Sequence, residues 1–364
     1  MKIVVAPDSF KGNMRSAQVC EIMRQSILRE MPDAEVLAFP MADGGEGTVD
    51  AVVAATGGSF QTLEVCGPLG DPVQAQYGLL PDGTAIMEMA AASGIELVPA
   101  EQLDPMAATT YGTGELLRHL LSEGHTSVVM GIGGSATVDG GVGMAQALGY
   151  RFLDANGEET RALSGICSID NSQVFQGLEN AKIQVACDVT NPLTGPNGAA
   201  AVFGPQKGAT PEMIPVLDAG LANLQEIAGV AGAPGDGAAG GLGYGLRAFC
   251  HAEIVSGAKL IADTVGLPSA LDGADLLITG EGRTDGQTAS GKLCSVLAGM
   301  ARERGAKTLL LSGALQGELD PFLDTFDYAF SISAGHTSLD ACIAHAPADI
   351  AFTVRNIFRL LAKG

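Results

Sequence analysis

Short apolar runs alternate with segments of helical periodicity along most of the chain. The run at residues 2–6 precedes residues 15–31, where apolar side chains recur at the three- and four-residue spacing of one helix face. Further apolar runs that predict strands lie at residues 35–40, 127–132, 182–188, 275–282, 307–314 and 326–333. Runs that are apolar throughout are typical of strands covered on both faces, so the alternation predicts an α/β fold with buried parallel strands.

Residues 59–90 follow a different pattern. Gly-Pro, Gly-Asp-Pro and Pro-Asp-Gly turns separate short runs of alternating polarity, which predicts antiparallel hairpins in an inserted domain. We therefore predict two α/β domains. The first, at residues 1–56 plus 257–364, is Rossmann-like with a mostly parallel sheet, and the second is a mixed α/β domain at residues 57–256.

The size and charge of the chain limit the classes of function. Its 364 residues suffice for about two domains, and 46% apolar with 17% charged residues is typical of a soluble globular protein. The formal charge of −21 argues against nucleic acid as a partner, because phosphates require a basic surface. An anionic ligand would need local help from a few cations, from helix N-termini or from a divalent metal.

The N-terminus and the cysteines indicate a cytoplasmic protein. The first apolar run ends at Pro7 and Asp8, which is too short for a signal peptide, and no run is long enough to span a membrane. Seven widely spaced cysteines without a C-x-x-C pair argue against a disulfide framework or a zinc site. We expect most of them to be buried free thiols. The sequence leaves the oligomeric state open, a homodimer included.

Glycine is unusually abundant, at 50 of 364 residues, about twice the usual share of roughly 7%. The glycines gather at residues 44–47, 131–143, 235–245 and 280–291, near acidic or hydroxyl side chains. Because glycine allows backbone amides to approach a ligand closely, these clusters predict a site built largely from main chain. The stretch at residues 228–245 is by composition either a flexible linker or a functional loop.

Two of the glycine clusters resemble nucleotide-binding motifs. Residues 286–292 nearly form a P-loop, but the predicted strand ends near Gly280 and Leu293 replaces the required hydroxyl residue. Residues 131–136 read G-x-G-x-x-A, without a convincing acidic residue about 20 positions on to bind a ribose. Neither motif therefore identifies the chain as a P-loop or Rossmann nucleotide-binding protein.

Polar residues follow the ends of the predicted strands, which is where open α/β sheets bind their ligands. The loops that carry them are "APDSFKG" (6–12), "ADGGEGT" (42–48), "EMAAASG" (88–94), "GTGEL" (112–116), "GIGGSATVDGG" (131–141), "ACDVTNPLTGPNGA" (186–199), "FGPQKGA" (203–209), "GAAGGLG" (237–243) and "ITGEGRTDGQ" (278–287). Taken in this order, they resemble the type 1 glycerate kinases over essentially the whole chain. The resemblance implies two α/β domains with the active site in the cleft between them, and ATP-dependent phosphorylation of D-glycerate, most often to 2-phosphoglycerate, in glyoxylate-derived or sugar-acid metabolism.

Phosphoryl transfer requires positioning and charge neutralisation, so we assign hypothetical roles on that basis. Catalytic roles, as cations near the γ-phosphoryl group or as the base, fall to Lys11, Asp188, Arg283, Asp285 and Lys292. Substrate or nucleotide binding falls to Asp8, Ser9, Gly44, Gly45, Gly47, Thr48, Gly133, Gly134, Ser135, Asp139, Asn191, Lys207 and Glu281. A magnesium ion accompanying ATP would be held by Asp43, Glu46 or Asp188.

Two other functions remain open at this level. A nicotinamide-dependent oxidoreductase of a small hydroxy acid also uses glycine-rich strand ends, and a two-domain protein could bind a small anion without catalysis. The kinase requires ADP release, whereas the other two do not.

Overall fold

The computed structural model describes residues 1–10, 12–285, 293–336 and 338–362. The strands are β1 (Lys2–Val5), β2 (Glu35–Ala38), β3 (Ser59–Cys66), β4 (Pro72–Leu79), β5 (Ala85–Glu88), β6 (Ser127–Gly131), β7 (Arg151–Leu153), β8 (Ser168–Asp170), β9 (Lys182–Ala186), β10 (Glu253–Val255), β11 (Leu276–Glu281), β12 (Lys307–Ser312) and β13 (Tyr328–Ser331). The α-helices are α1 (Ser16–Glu30), α2 (Thr48–Thr56), α3 (Ala90–Ser93), α4 (Tyr111–Ser122), α5 (Val142–Ala147), α6 (Met213–Ala228), α7 (Ala238–Cys250), α8 (Gly257–Thr264), α9 (Leu267–Leu271), α10 (Leu293–Glu303), α11 (Asp320–Thr325) and α12 (Leu339–Leu361). Among the helices of these ranges, none is both long and apolar enough to cross a membrane.

The chain divides into two compact units. One, here called the parallel unit, comprises Met1–Asp43, Asp50–Gly57 and Gly257–Gly364. The other, the mixed unit, comprises Gly44–Val49 and Gly58–Ser256. Each unit has its own sheet and its own hydrophobic core.

The sheet of the parallel unit has the order β13-β12-β11-β1-β2, with every pair of neighbours parallel. Ile3, Val4 and Val5 of β1 are completely buried, which explains the apolar run at the N-terminus. The chain proceeds from β1 to β2 on one side, and β11, β12 and β13 follow on the other. The direction therefore reverses between β1 and β11, where the loops diverge and a doubly wound sheet binds its ligand.

The sheet of the mixed unit has the order β10-β9-β6-β5-β4-β3. Strands β3, β4 and β5 form antiparallel hairpins, which confirms the prediction for residues 59–90. Strands β5, β6, β9 and β10 are parallel, so their carboxyl ends share one edge of the sheet. A separate antiparallel pair joins β7 and β8. The predicted α/β class, with one parallel and one mixed sheet, is confirmed.

The linker interpretation of residues 228–245 is wrong. Helix α6 ends at Ala228, and most of residues 235–246 are buried in the mixed unit. Asp236 is fully buried and accepts hydrogen bonds from Arg247 Nε at 2.8 Å and Nη2 at 3.0 Å. Gly240 has a φ of 67°, and a Cβ at that position would overlap the Thr137 carbonyl. The glycines here permit close backbone packing rather than flexibility.

All seven cysteines are free thiols, as predicted. Only Cys20, Cys250 and Cys294 are buried, so the expectation that most would be buried is wrong. Burial raises the pKa of these three thiols, because the thiolate is poorly solvated inside the protein. Cys167 is exposed.

Candidate active site

The first group of candidate residues lies in the parallel unit, where β1 and β11 end side by side. The Asp8 backbone N–H donates to the Gly280 carbonyl at 2.8 Å, which places Asp8 beside the last residues of β11. The Ser9 backbone N–H donates to Asp8 Oδ1 at 2.6 Å. The structure therefore brings Asp8 and Ser9 next to Glu281 at the point where the sheet reverses direction. Neither Asp8 nor Ser9 caps α1, which begins at Ser16.

Thr284, to which the sequence assigned no role, fixes the loop after β11. Its side chain is fully buried and its Oγ1 lies 3.0 Å from Glu281 Oε1 and 2.9 Å from Ser312 Oγ. Its backbone N–H donates to the Ala314 carbonyl at 2.9 Å. Because Thr284 is anchored inward, its neighbour Arg283 is exposed and Asp285 is partly exposed. Arg283 thus occupies a position from which it could bind an anion.

The chain that follows β2 runs beside the same edge of the parallel sheet. The backbone N–H of Met41 donates to the Pro7 carbonyl at 3.2 Å, and the half-buried Asp43 follows two residues later. The predicted cations Lys11 and Lys292 lie outside the described residues, as does the P-loop-like stretch at residues 286–292. The roles assigned to these two lysines remain predictions.

The second group lies in the mixed unit, where the glycine loop at residues 44–47 packs against the carboxyl ends of β6 and β9. A Cβ at Gly44 would lie 2.6 Å from Ala186 Cβ and 2.8 Å from Ala186 O. A Cβ at Gly133 would lie 2.8 Å from Gly45 Cα. The Gly133 N–H also approaches the Gly44 carbonyl, at 3.4 Å. The predicted glycines at 44, 45 and 133 are therefore in direct backbone contact, and larger residues would separate them.

The same loop leads into the N-terminus of α2. Thr48 is fully buried, and its Oγ1 donates to the Gly45 carbonyl at 2.7 Å. Glu88 Oε1 accepts from the Val49 backbone N–H at 2.8 Å, which satisfies one of the unpaired donors of the first helical turn. A carboxylate at this position also complements the positive end of the helix dipole. We predicted no role for Glu88 from the sequence, although it opens "EMAAASG" (88–94), one of the loops that carry the family resemblance.

The loop after β6 carries Gly133, Gly134, Ser135 and Asp139. Gly134 is exposed with a φ of 73°, whereas Ser135 is buried. Asp139 receives four hydrogen bonds from its own unit, from Thr110 N and Oγ1 at 2.8 Å each, Gly141 N at 3.1 Å and Gly143 N at 3.2 Å. Burial raises the pKa of the Asp139 carboxyl, although these hydrogen bonds act in the opposite direction. Asp139 thus organises its own loop.

Lys207 lies beneath this loop and has only 1% of its surface exposed. Its Nζ donates to Ser135 Oγ at 2.6 Å and to the Thr137 carbonyl at 2.7 Å. Burial lowers the pKa of Lys207 to about 7, and the charge of Asp139 opposes this shift. Lys207 therefore contacts the loop from inside the unit.

The loop after β9 carries Asp188 and Asn191. Asp188 is exposed, and its Oδ1 accepts from Ser256 Oγ at 3.0 Å. The Asn191 side chain donates to the Asn197 carbonyl at 2.9 Å and closes the turn that follows. Asp188 is thus directed to the shared edge of the parallel strands, while Asn191 shapes its loop.

The described residues contain no group of three or more His, Cys, Asp or Glu side chains placed to hold a metal ion. The predicted carboxylates Asp43, Glu46 and Asp188 are all at least partly exposed. Magnesium usually keeps several waters and takes one or two protein carboxylates together with substrate phosphates. These carboxylates fit that pattern of binding rather than a complete protein cage.

Comparisons of the sequence and of the structure with known proteins agree on one family. The sequence model of the Glycerate kinase family matches residues 3–362. The chain is 43% identical to the glycerate 2-kinase of Escherichia coli K12, with 100% of this chain and 99% of that protein covered. It is also 43% identical to the glycerate kinase of Bacillus subtilis 168, with 98% and 97% covered. A crystal structure assigned to glycerate kinase 2 of Salmonella typhimurium LT2 matches with a TM-score of 0.90 and 44% identity, covering 100% of this chain and 99% of that one. The chain belongs to the glycerate kinase family.

Proposed function

We propose that this glycerate kinase transfers the γ-phosphoryl group of ATP to the C2 hydroxyl of D-glycerate, giving 2-phospho-D-glycerate and ADP. The observation that carries the choice of hydroxyl is the end-to-end similarity to the protein of Escherichia coli that is named a glycerate 2-kinase. The donor and the position of transfer are inferences about this chain. The geometry of both residue groups supports the binding of anionic substrates.

Backbone amides in the mixed unit would bind phosphate. Gly44, Gly45 and Gly47 precede the N-terminus of α2, and Gly133 packs directly on Gly45. Helix N-termini and glycine-rich turns present N–H groups and a positive partial charge to anions. This arrangement would attract phosphate locally, although the formal charge of −21 on the whole chain repels anions.

Asp43, Glu46 or Asp188 would hold magnesium. Their exposed or partly exposed carboxylates provide the oxygen ligands that this ion prefers. Magnesium, when bound, bridges phosphate oxygens and offsets their charge.

In the parallel unit, Arg283 would bind the glycerate carboxylate. Its guanidinium is exposed because Thr284 holds the loop beneath it, and arginine matches a carboxylate with two parallel hydrogen bonds. The base that accepts the proton of the attacking hydroxyl would be Asp188 or Asp285. Asp8, Ser9 and Glu281 would position the substrate at the end of the β1–β11 pair.

The test is an assay of ADP release with D-glycerate and other hydroxy acids, with and without magnesium. We expect ADP release that depends on both D-glycerate and magnesium. Phosphorus–proton coupling in the NMR spectrum of the product would identify the esterified carbon. Coupling to the two C3 protons would instead show 3-phosphoglycerate and contradict the proposed position.

Two variants identify the base. Asp188→Asn and Asp285→Asn each preserve shape and remove a carboxylate, and loss of the base should lower kcat by about 10²- to 10⁴-fold. Asp33→Asn is the control, because Asp33 is exposed on the parallel unit and has no assigned role. If both site variants retain activity within about threefold of wild type, neither carboxylate is the base.

A further inference from the structure

Lys207 is a buried cation with an unusual environment. It follows Gly204 in a short helical turn at Pro205–Lys207, and its side chain reaches the loop after β6. Its Nζ donates to Ser135 Oγ and to the Thr137 carbonyl, which both belong to that loop. A lysine in this position is costly to bury, so its retention points to a use for the charge.

Backbone hydrogen bonds also hold the part of the loop that Lys207 contacts. The Ala136 N–H donates to the Ser93 carbonyl at 3.0 Å, and the Gly134 carbonyl accepts from the Ile95 N–H at 2.8 Å. Thr137 is fully buried, and its Oγ1 has no hydrogen-bond partner within the described part of the chain. The Thr137 side chain thus forms no hydrogen bond with the described residues, whereas its carbonyl accepts from Lys207.

We propose that Lys207 is a positioning residue that prepares the Gly133–Gly134 backbone for an anionic phosphate group. It fixes Ser135 and Thr137 from below, while its charge favours an anion at the exposed Gly134 on the outer side of the loop. Lys207 does not contact the phosphate itself, because it is almost completely buried. This inference rests on the proposed function for the identity of the phosphate as part of ATP.

A change of pH can separate the effect of the Lys207 charge from the effect of its hydrogen bonds. The charged group that acts on Lys207 among the described residues is Asp139 in the same loop, and burial brings the pKa of Lys207 to about 7. A neutral amine still has two N–H donors, so it can keep both hydrogen bonds. Raising the pH through about 7 should therefore remove the charge while leaving the loop in place.

The experiment compares wild type with Lys207→Gln and Lys207→Met in binding inorganic tripolyphosphate by calorimetry at pH 6 and pH 8.5. At pH 6 we expect Lys207→Gln to bind about tenfold more weakly than wild type, because a charge in the protein interior attracts a nearby anion more strongly than a charge in water does. At pH 8.5 its dissociation constant should approach that of wild type. Lys207→Met should remain weaker at both pH values, because it also loses the hydrogen bonds.

Lys182→Met is the matched control, since Lys182 is an exposed lysine of the same unit. Its dissociation constant should equal that of wild type at both pH values, which accounts for titration of tripolyphosphate itself. If Lys207→Met does not fold, Ser135→Ala tests the same contact and should weaken binding severalfold without changing the pH dependence of wild type. A wild-type to Lys207→Gln ratio that is independent of pH would overturn the role of the charge.

Steady-state kinetics distinguish the source of the anion. The proposal requires Lys207→Gln to raise the KM for ATP at pH 6 and to leave the KM for D-glycerate within about twofold. A rise confined to D-glycerate would overturn the assignment to phosphate. Absence of glycerate-dependent ADP release in wild type would refute the proposed function, whereas the tripolyphosphate result would still decide the role of Lys207.

Discussion

Replacing Gly44 with alanine should damage the glycine loop far more than the same change at Gly47. Both glycines have positive φ, 91° and 83°, so alanine costs about 1–2 kcal/mol at either position from backbone strain alone. At Gly47 no atom lies within 4 Å of the added Cβ, whereas at Gly44 the Cβ would lie 2.6 Å from Ala186 Cβ. Overpacking of this kind adds about 1–3 kcal/mol. We expect Gly44→Ala to be destabilised by about 2–5 kcal/mol and Gly47→Ala by about 1–2 kcal/mol.

The functional consequence follows from the position of the loop. Relief of the contact with Ala186 moves residues 44–47 away from the end of β9, and a displacement of about 1 Å can cost about 100-fold in rate. Gly44→Ala should therefore lower kcat/KM for glycerate-dependent ADP release by about 100-fold, and Gly47→Ala by less than about tenfold. Thermal unfolding should show the same order, at about 2–4 °C for each kcal/mol. Equal losses in the two variants would show that close packing against Ala186 is unimportant and would refute the reasoning.

Three further outcomes are expected. Asp236→Asn should lose about 3–5 kcal/mol of stability, because Arg247 would keep its charge beside a fully buried neutral side chain. Glu159→Gln, which breaks the exposed Arg151–Glu159 pair, should lose no more than about 1 kcal/mol. Similar denaturant midpoints for the two variants would contradict this expectation. Thr137→Val should be neutral or stabilising in chemical denaturation, because it removes a buried hydroxyl without a partner in the described chain; a loss above about 1 kcal/mol would indicate a bond that the described residues do not contain. Iodoacetamide at pH 8 should modify the exposed Cys167 first, and early labelling of Cys250 by mass spectrometry would contradict its burial and raised pKa.

The central strands were predictable from sequence because both of their faces are buried. Ile3 and Val4 point to opposite faces of β1 and both are fully buried, so an unbroken apolar run is the direct result of two covered faces. The candidate residues could then be found just after these strands, because parallel strands have their carboxyl ends along one edge of the sheet. Asp8 lies just after β1 and Glu281 is the last residue of the adjacent β11, so residues 273 positions apart share one edge of the sheet.

What the sequence could not indicate is which polar groups face inward. We predicted binding roles for Lys207 and Asp139 because they are charged residues among glycines. The side chains of both form hydrogen bonds within the mixed unit instead. Thr110, which donates twice to Asp139, lies 29 positions away, and the partners of Lys207 lie about 70 positions away, so no local pattern records these contacts. The role of Asp139 as a direct ligand remains a prediction, whereas for Lys207 we propose the positioning role described above.

Composition also failed to separate flexible from tightly packed glycine. Residues 228–245 have the composition of a linker, but Gly240 approaches the Thr137 carbonyl so closely that no side chain fits. Flexibility and close packing both favour small residues, and only the neighbouring elements distinguish them. The family resemblance was independent of this ambiguity, because it depended on the order of whole loops.

The strand order of the parallel sheet has a consequence for synthesis on the ribosome. Strand β1 pairs with β2, but its other partner β11 begins only at Leu276, and every strand of the mixed sheet is made in between. At about 5–20 residues per second, β1 and β2 wait roughly 12–50 seconds for β11 to emerge. During that time the apolar β1 has an open edge, while the mixed sheet can be completed. The strand at the start of the nascent chain therefore stays incompletely paired for longer than the strands in its middle.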